Sequence, residues 1–563
     1  MVDDNPEALA VTHVPDQPTD FAGALAAAED GQSLELKSVE LSASDVTRLL
    51  DALKQHRQSL PAVSFQKCVF TDDVSFAAVT FGGEALFNES QFAGRAGFRK
   101  TIFKGDASFA ECTFEGDADF DGSQYDGDYS TFAASHFRRD ASFFECRFKL
   151  ADFTAAEFAR DAEFRGARFE GDSSHQPGKS AFFLNTRFEG RTSFRDTKAD
   201  HDMDFWGAKF VGRTDLGITA GGTVDLSGCR VSEPSIWTIS ADTLELEKAE
   251  FEGPLALDVA KASIYLAHAA FRQPSTIASL SGSDHLDAAA GEVPSIMNLR
   301  AVDVSNLTLS DVRLDHCRFA GAHLLDGLRL DGAVSFLSAP RGLMTSWKRL
   351  RPGYWSRRRV IVEEAEWRSM QGREHDAEER QEQASSGSAV PDHRGDPDPR
   401  WAAMLRPNRP ESIPTADRLA QTYRSIRKGF EDSKDEPGAA DFYYGEMEMR
   451  RYGTTSRSMK VLLHIYWAVS GYGLRPLRSL LTLTGVVLAA TVLLATCDGF
   501  RDGPVEYGWA ESAIFALGAT VNVFNARTES LYTWAQLLQI FLRIVGPALY
   551  LLTALALRGR VKR

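Results

Sequence analysis

The stretch FQKCVFTDDVSFAAVTFGGEALFNESQFAGRAGFRKTIFKGDASFAECTFEGDADF, residues 65–120, decides the fold. Its large residues are Phe65, Phe70, Phe76, Phe81, Phe87, Phe92, Phe98, Phe103, Phe109, Phe114 and Phe120, and Tyr125 follows in step. The steps alternate five and six residues, which fits neither the 3.6-residue period of a helix nor the two-residue period of a strand. Two positions before each aromatic the residue is smaller: Cys68, Val74, Val79, Ala85, Ser90, Ala96, Thr101, Ala107, Cys112, Ala118. One large and one small inward residue per unit describes a chain that turns a corner every five or six positions. Four such sides close a square coil. Stacked coils put Phe on Phe and Ala on Ala in interior ladders, hydrogen-bonded from coil to coil at about 4.8 Å.

Working outward, the pattern resumes after residues 126–130 at Phe132, Phe137, Phe143, Phe148, Phe153, Phe158, Phe164 and Phe169. A polar loop at 171–180 (GDSSHQPGKS) precedes Phe183, Phe188, Phe194, Phe205, Phe210 and Leu216. A strict five-residue form stands at 310–324 (SDVRL, DHCRF, AGAHL), with Leu314, Phe319 and Leu324 as its large residues. This pattern resembles the pentapeptide-repeat family. The resemblance implies an all-β fold, a right-handed quadrilateral β-helix. Residues 65–216 then make about seven coils, about 33 Å of rod at the inter-strand rise. Residues 217–299 match poorly, yet Leu226, Val231, Leu244 and Phe251 predict that coils persist there. Solenoid ends need caps. One is expected at 33–64, where SLELKSVEL reads as a strand and SASDVTRLLDALKQHRQ as a helix burying Val46, Leu49, Leu50 and Leu53. A second is expected near 337–370.

The C-terminal third changes character. Residues 373–400 lack apolar periodicity and mix Pro, Gly, Ser and dense charge, the composition of a disordered linker. Ala416, Leu419, Ala420, Tyr423, Ile426 and Phe430 fall at helix spacing, and AADFYYGEMEMRRY reads as a second helix. The pair resembles a juxtamembrane element. Leu480–Cys497 is uncharged and close to the roughly 20 residues that span hydrocarbon, and Gln536–Leu557 is a second candidate. Arg450, Arg451, Arg457, Lys460, Arg475 and Arg478 precede the first span, and Arg558, Arg560, Lys562 and Arg563 follow the second. By the positive-inside rule both ends face the cytosol, the hairpin anchors the chain in a plasma (inner) membrane, and Trp467 and Trp534 sit at interfaces. Gln539 and Arg543, four apart on one helix face, together with Pro547, predict a helix–helix or oligomer interface. The resulting domains are 1–64 (tail and cap), 65–337 (β-helix), 338–411 (cap and linker), 412–475 (juxtamembrane helices) and 476–563 (membrane hairpin).

Charge bounds the partners. Residues 1–340 carry 31 basic and 53 acidic side chains, and residues 341–563 carry 32 and 25. The acidic part repels nucleic acid and anionic lipid; the basic part tolerates an anionic surface. Arg424, Arg427, Lys428, Arg450 and Arg451 are candidate contacts for lipid headgroups. The N-terminus is acidic without an apolar h-region, so it is expected to stay in the cytosol. Cys68, Cys112, Cys146, Cys229 and Cys317 all hold the small ladder position, where a free thiol packs as a small hydrophobe. No catalytic, dinucleotide or zinc motif is present, and the sequence predicts no catalytic residue, cofactor or metal. The reading is a non-enzymatic scaffold at the cytoplasmic membrane face. Its expected partners are the bilayer, a protein on the acidic outward surface, and further copies through the membrane helices. Two rivals stand beside it. Span, short segment Trp509–Val521 and second span resemble a two-helix ion-channel pore, although ALGATVNVFNARTES lacks a TxGYG filter. The acidic rod also resembles family members that mimic DNA and bind type II topoisomerases, which the anchor disfavours.

Overall fold

The computed structural model describes residues 21–30, 32–56, 59–171, 178–280, 293–340, 342–346, 351–355, 358–369, 414–497, 499–500, 508–521 and 531–561. The predicted linker at 373–400 and most of the 171–180 loop therefore lie outside the described residues. The chain divides into two compact units, Met1–Arg313 and Leu314–Arg563. A parallel β-solenoid of about 11 turns occupies residues 63–331, and helices follow it.

The alternation of fives and sixes has a backbone cause. In the five-residue steps Phe76–Phe81, Phe87–Phe92, Phe98–Phe103 and Phe109–Phe114, the central corner residue is left-handed: Ala78, Glu89, Lys100 and Glu111 have φ near 56°. That conformation turns the corner in one residue fewer. The six-residue corners Phe81–Phe87, Phe92–Phe98, Phe103–Phe109 and Phe114–Phe120 contain Gly. A Cβ on Gly116 would lie 2.3 Å from the carbonyl oxygen of Gly94, one coil back. Two-residue strands fill the sides, in parallel register with the coil before: Phe70 beside Phe92, Phe92 beside Phe114, and Phe114 beside Phe137.

The solenoid starts earlier than the Phe series. Leu34–Lys37 pairs with Val63–Gln66, and Glu40–Leu41 pairs with Val69–Phe70. The cap strand is thus the first rung itself. Helix α1 (Phe21–Glu29) packs on α2 (Ala43–His56) beside it. Ser42 and Asp45 cap α2 reciprocally: Asp45 N–H donates to Ser42 Oγ (3.3 Å), and Ser42 N–H to Asp45 Oδ2 (3.0 Å).

Residues 217–280 keep coiling, with longer strands than the coils before them. The strand Ser235–Glu245 pairs along its length with Asp215–Thr219 and Thr223–Asp225, which in turn pair with three separate short sides of the coil before. Leu255–Tyr265 repeats the arrangement. The short sides merge here into long strands, and the pairing of Ser235–Glu245 with Leu255–Tyr265 shifts register between Ile239 and Thr243, while each coil also keeps a short strand such as Glu250–Phe251. Burial alternates from Ser235 to Ala241, breaks at Asp242–Thr243 and resumes with Leu244, and no residue of the strand is left-handed. Leu226, Val231, Leu244 and Phe251 all point inward.

In the second unit, Leu314, Cys317 and Phe319 are fully buried. Leu324 is not. The strict five-residue spacing predicts it as a ladder residue, yet it is 58% exposed. It has a left-handed backbone (φ 51°) and opens a 3₁₀ turn, Leu325–Gly327, which turns it outward and lets Leu325 and Leu328 fill the interior. Among the described residues, seven helices follow, the first of them short. The short helix α3 spans 362–369. Helices α4 (Ala416–Asp432) and α5 (Glu436–Gly453) are antiparallel neighbours, and α6 (Arg457–Ser470) continues from them. Then come α7 (Pro476–Thr496), α8 (Trp509–Val521) and α9 (Thr533–Val561). Helices α7 and α9 are long and apolar enough to cross a membrane.

Candidate functional site

The ladder residues chosen from sequence form continuous stacks. Phe70, Phe92 and Phe114 stack at 4.5 and 4.8 Å, Phe76 and Phe98 at 4.9 Å, and Phe81 and Phe103 at 5.1 Å. Phe109 stacks on Phe87 at 4.8 Å and meets Phe98 edge-on at 5.1 Å. Stacked neighbours and edge-to-face contacts across the coil leave a solid interior.

The small positions have a role that spacing alone does not reveal. Ser90, Thr101, Cys112, Ser123, Ser135 and Cys146 donate to the carbonyls of Phe65, Phe76, Phe87, Phe98, Phe109 and Phe120, one coil back. Cys112 Sγ lies 2.9 Å from its acceptor, and burial pushes its thiol up to about 12. Such a group is neither a nucleophile nor a metal ligand at neutral pH.

The chemistry-bearing cluster lies in the second unit, at residues the sequence reading passed over. Arg358 is 4% exposed, Glu364 0%, Arg368 8%, Glu448 2% and Arg451 6%. They alternate in sign along one chain of contacts. Arg358 Nη2 is 2.5 Å and Arg368 Nε 2.6 Å from Glu364 Oε1, and Tyr423 Oη donates to the same carboxylate. Arg368 Nη2 continues to Glu448 Oε2 at 3.2 Å. Arg451 Nη2 (3.0 Å) and Tyr472 Oη (3.0 Å) also donate to Glu448. Burial would raise the pKa of Glu364, but Arg358 and then Arg368 outweigh it and hold that carboxyl at about 2. Around this chain, Glu363 Oε1 accepts the backbone N–H groups of Phe319 (2.5 Å) and Ala320 (2.8 Å). Glu366 pairs with Arg318 at 2.6 Å, and Arg359 with Asp435 at 2.9 Å. Phe336 packs on Phe430 and Phe442.

These contacts change the reading of the linker. Residues on its two sides, 358–369 and 416–453, bind each other directly. The two flanks therefore belong to one body. Four of the five basic residues expected at lipid headgroups are engaged within the chain, and Arg424 is exposed. Arg427 and Arg450 pair with Glu446 at 2.9 and 2.6 Å, Lys428 with Asp326 at 2.9 Å, and Arg451 lies in the network. The sequence signal for the network was the density of Glu and Arg inside two helices, EEAEWR and EMEMRR, whose apolar residues alone do not make a buried face.

Helices α7, α8 and α9 meet through small residues: Ala490, Ala516, Ala519 and Ala535, joined by Leu494 and Leu542. Gly546 lies against Thr520, where a Cβ would come within 2.7 Å of backbone. Gln539 is 4% exposed, on the same stripe as Ala535, Leu542 and Gly546, so it serves contacts within this chain. Arg543 and Pro547 are half-buried at the edge of that stripe, and Pro547 leaves the Arg543 carbonyl without its helical donor. The outward faces carry Leu477, Leu481, Leu488, Leu537, Ile544 and Leu551, each about half exposed or more. A cavity of about 270 Å³ is lined by Arg427, Asp441, Tyr443, Tyr444, Arg475 and Leu555, a mixed-charge wall. Among the described residues no three His, Cys, Asp or Glu side chains converge as a metal site.

Residues 62–102 and 87–135 match a family model described as pentapeptide repeats (9 copies). No curated protein and no solved structure matches the chain.

Proposed function

Because the chain is a pentapeptide-repeat protein with two helices long enough and apolar enough to cross a membrane, we propose that it is a membrane-anchored, non-enzymatic scaffold. Helices α7 and α9 cross the bilayer as a hairpin, with both chain ends in the cytosol by the positive-inside rule. The solenoid displays its outward faces to a protein partner at the cytoplasmic side of a plasma membrane.

The observation that carries this reading is the apolar outer surface of α7–α9. Their mutual contacts join Ala490, Ala516, Ala519, Ala535 and Gly546 with Leu494 and Leu542, while Leu477, Leu481, Leu488, Leu537, Ile544 and Leu551 face outward. Only 28% and 22% of the two spanning windows are buried. A core helix of a water-soluble protein is covered on its apolar side; these two need an apolar solvent. For the scaffold role, the support is the filled interior of the solenoid, which leaves only outer faces and corners for recognition.

Two results decide it. The chain must resist alkaline carbonate extraction from membranes, and protease added to sealed inside-out vesicles must digest the solenoid. Release by carbonate overturns the anchor, and protection of the solenoid overturns the orientation.

A second reading, an ion-conducting oligomer of α7–α9, is favoured by one feature: the short helix α8 packs against both long ones. Unitary currents from the full chain in planar bilayers, absent from a chain ending at Arg475, establish conduction. Silence removes it.

A further inference from the structure

Helix α6 divides its surface three ways. Leu463 and Ser470 are buried, and Trp467 Nε1 donates to Tyr444 Oη at 3.1 Å, which fixes one face to α5. Arg457, Lys460 and His464 form a second, polar strip. Val461, Leu462 and Ile465 form a third strip and are 60%, 59% and 55% exposed. At 3.6 residues per turn this aliphatic strip, continued by Val469, lies roughly opposite the face that holds α5. Three large aliphatic side chains side by side on a helix otherwise bound to its neighbours mark a contact surface.

What covers that strip follows from its neighbours. Thr482 Oγ1 donates to the Val469 carbonyl at 3.3 Å, and Arg478 Nη1 to the Trp467 carbonyl at 3.4 Å. These bonds tie the end of α6 to the first turns of α7, whose own exposed residues include Leu477, Leu480 and Leu481. The aliphatic strip therefore adjoins a surface that already needs an apolar solvent. Charge selects the kind of surface: residues 449–497 contain six basic side chains and no Asp or Glu. A surface with apolar depth and negative headgroups meets both demands.

We infer that α6 lies in the plane of the membrane, with Val461, Leu462 and Ile465 in the upper acyl region and Arg457 and Lys460 among anionic phosphates. This rests on the proposed anchor and adds to it a lipid-binding site outside the two spans. Through Leu463 and Trp467 the helix is fixed to α5, which carries Glu448 of the ion network. The bilayer surface thus contacts the buried network through one helix.

The test uses the full-length chain with Cys497→Ser, since Cys497 is exposed and the other five cysteines are buried. Nitroxides are attached singly after Arg457→Cys, Val461→Cys, His464→Cys, Ile465→Cys or Leu488→Cys. The protein is reconstituted in phosphatidylcholine–phosphatidylglycerol vesicles, and each label's accessibility to oxygen and to a water-soluble nickel chelate is read by power saturation. Labels at 461 and 465 should favour oxygen over nickel, at a depth shallower than 488, while 457 and 464 favour nickel. Replacing the phosphatidylglycerol with phosphatidylcholine should raise nickel access at 461 several-fold.

Labels at 461 and 465 as wet as 464, with 488 still in hydrocarbon, overturn the in-plane helix and leave the anchor standing. Nickel access at 488 overturns the anchor itself. Labels at 461 and 465 shielded from both reagents show protein on the strip and overturn the inference. Equal nickel access at 461 in both lipid mixtures overturns the headgroup contacts.

Discussion

Phe109 shows what one inward position is worth. It is fully buried, stacked between Phe87 and Phe132 at 4.8 and 4.9 Å and met edge-on by Phe98 and Phe120. Removing such a ring costs about 3–5 kcal/mol, and a charge in its place costs more. Phe109→Asp should therefore melt the neighbouring coils. At the adjacent corner, Asp106 is solvated and accepts one backbone N–H, from Tyr129 at 3.0 Å. Asp106→Ala should cost about 1 kcal/mol or less. Thermal unfolding of both variants checks the inward register, and equal midpoints would refute it. Glu363 gives a pH prediction. Burial pushes its carboxyl up to about 7, against the two backbone N–H groups that favour the anion, and its Oε2 meets no donor among the described residues. Between its ordinary value near 4.5 and about 7, the folded chain holds a proton that the unfolded chain has released. Stability from this group therefore rises as pH falls through 7 and levels off near 4.5, by an amount on the order of 3 kcal/mol. Glu366 and Asp441, raised by burial, act with the same sign. Glu364 acts oppositely, and its contribution fades only as pH falls from about 4.5 towards 2. Glu363→Gln should raise the melting temperature at pH 8 and flatten the slope between pH 8 and 6. An unchanged slope would remove Glu363 as its source.

Elements differ in how legibly they are written. The coil was readable because its period is set by Phe, which has no reason to recur at fives and sixes in any other fold. Corner type was partly hidden: Ala, Glu, Lys and Gly all occupy the left-handed position, so composition does not mark it. Strand length at 217–280 was hidden as well, because inward residues persist while the five- and six-residue spacing between them is lost. Leu324 looked like Leu314 in sequence, and only the 3₁₀ turn separates them. Helix α3 was covered only by the cap expected near 337–370, because several partners of its charged residues lie 44 to 80 residues away, as Phe319 and Glu448 show. The cost of breaking that network tests it. Glu364→Gln leaves Arg358 and Arg368 desolvated without their shared anion and should destabilise by about 3–5 kcal/mol. Glu170→Gln, at a half-exposed pair with Arg147, should cost under about 1 kcal/mol. Unfolding midpoints that shift alike for both variants would mean that the buried chain of charges is not holding α3 to α4 and α5.

At the scale of the molecule, charge asymmetry between the two parts and the two apolar runs were plain in the sequence, and with them the outline of an acidic solenoid ahead of two helices long and apolar enough to cross a membrane. The contact between the flanks of 373–400 was not legible. Residues 373–400 have the composition of a flexible tether, yet Arg358, Glu364 and Arg368 on one side bind Tyr423 and Glu448 on the other. Composition describes the segment and says nothing of whether its flanks hold each other. The central claim is that a scaffold is fastened to its membrane helices by side-chain contacts, independent of the chain connecting them. One measurement tests it directly. A protease site inserted within 373–400 of the full-length chain, in proteoliposomes, is cut to completion and the vesicles are sedimented at neutral pH. The account predicts that the solenoid fragment sediments with the vesicles after cleavage and is released by Glu364→Gln. A solenoid fragment left in the supernatant, from an otherwise unaltered chain, would contradict it.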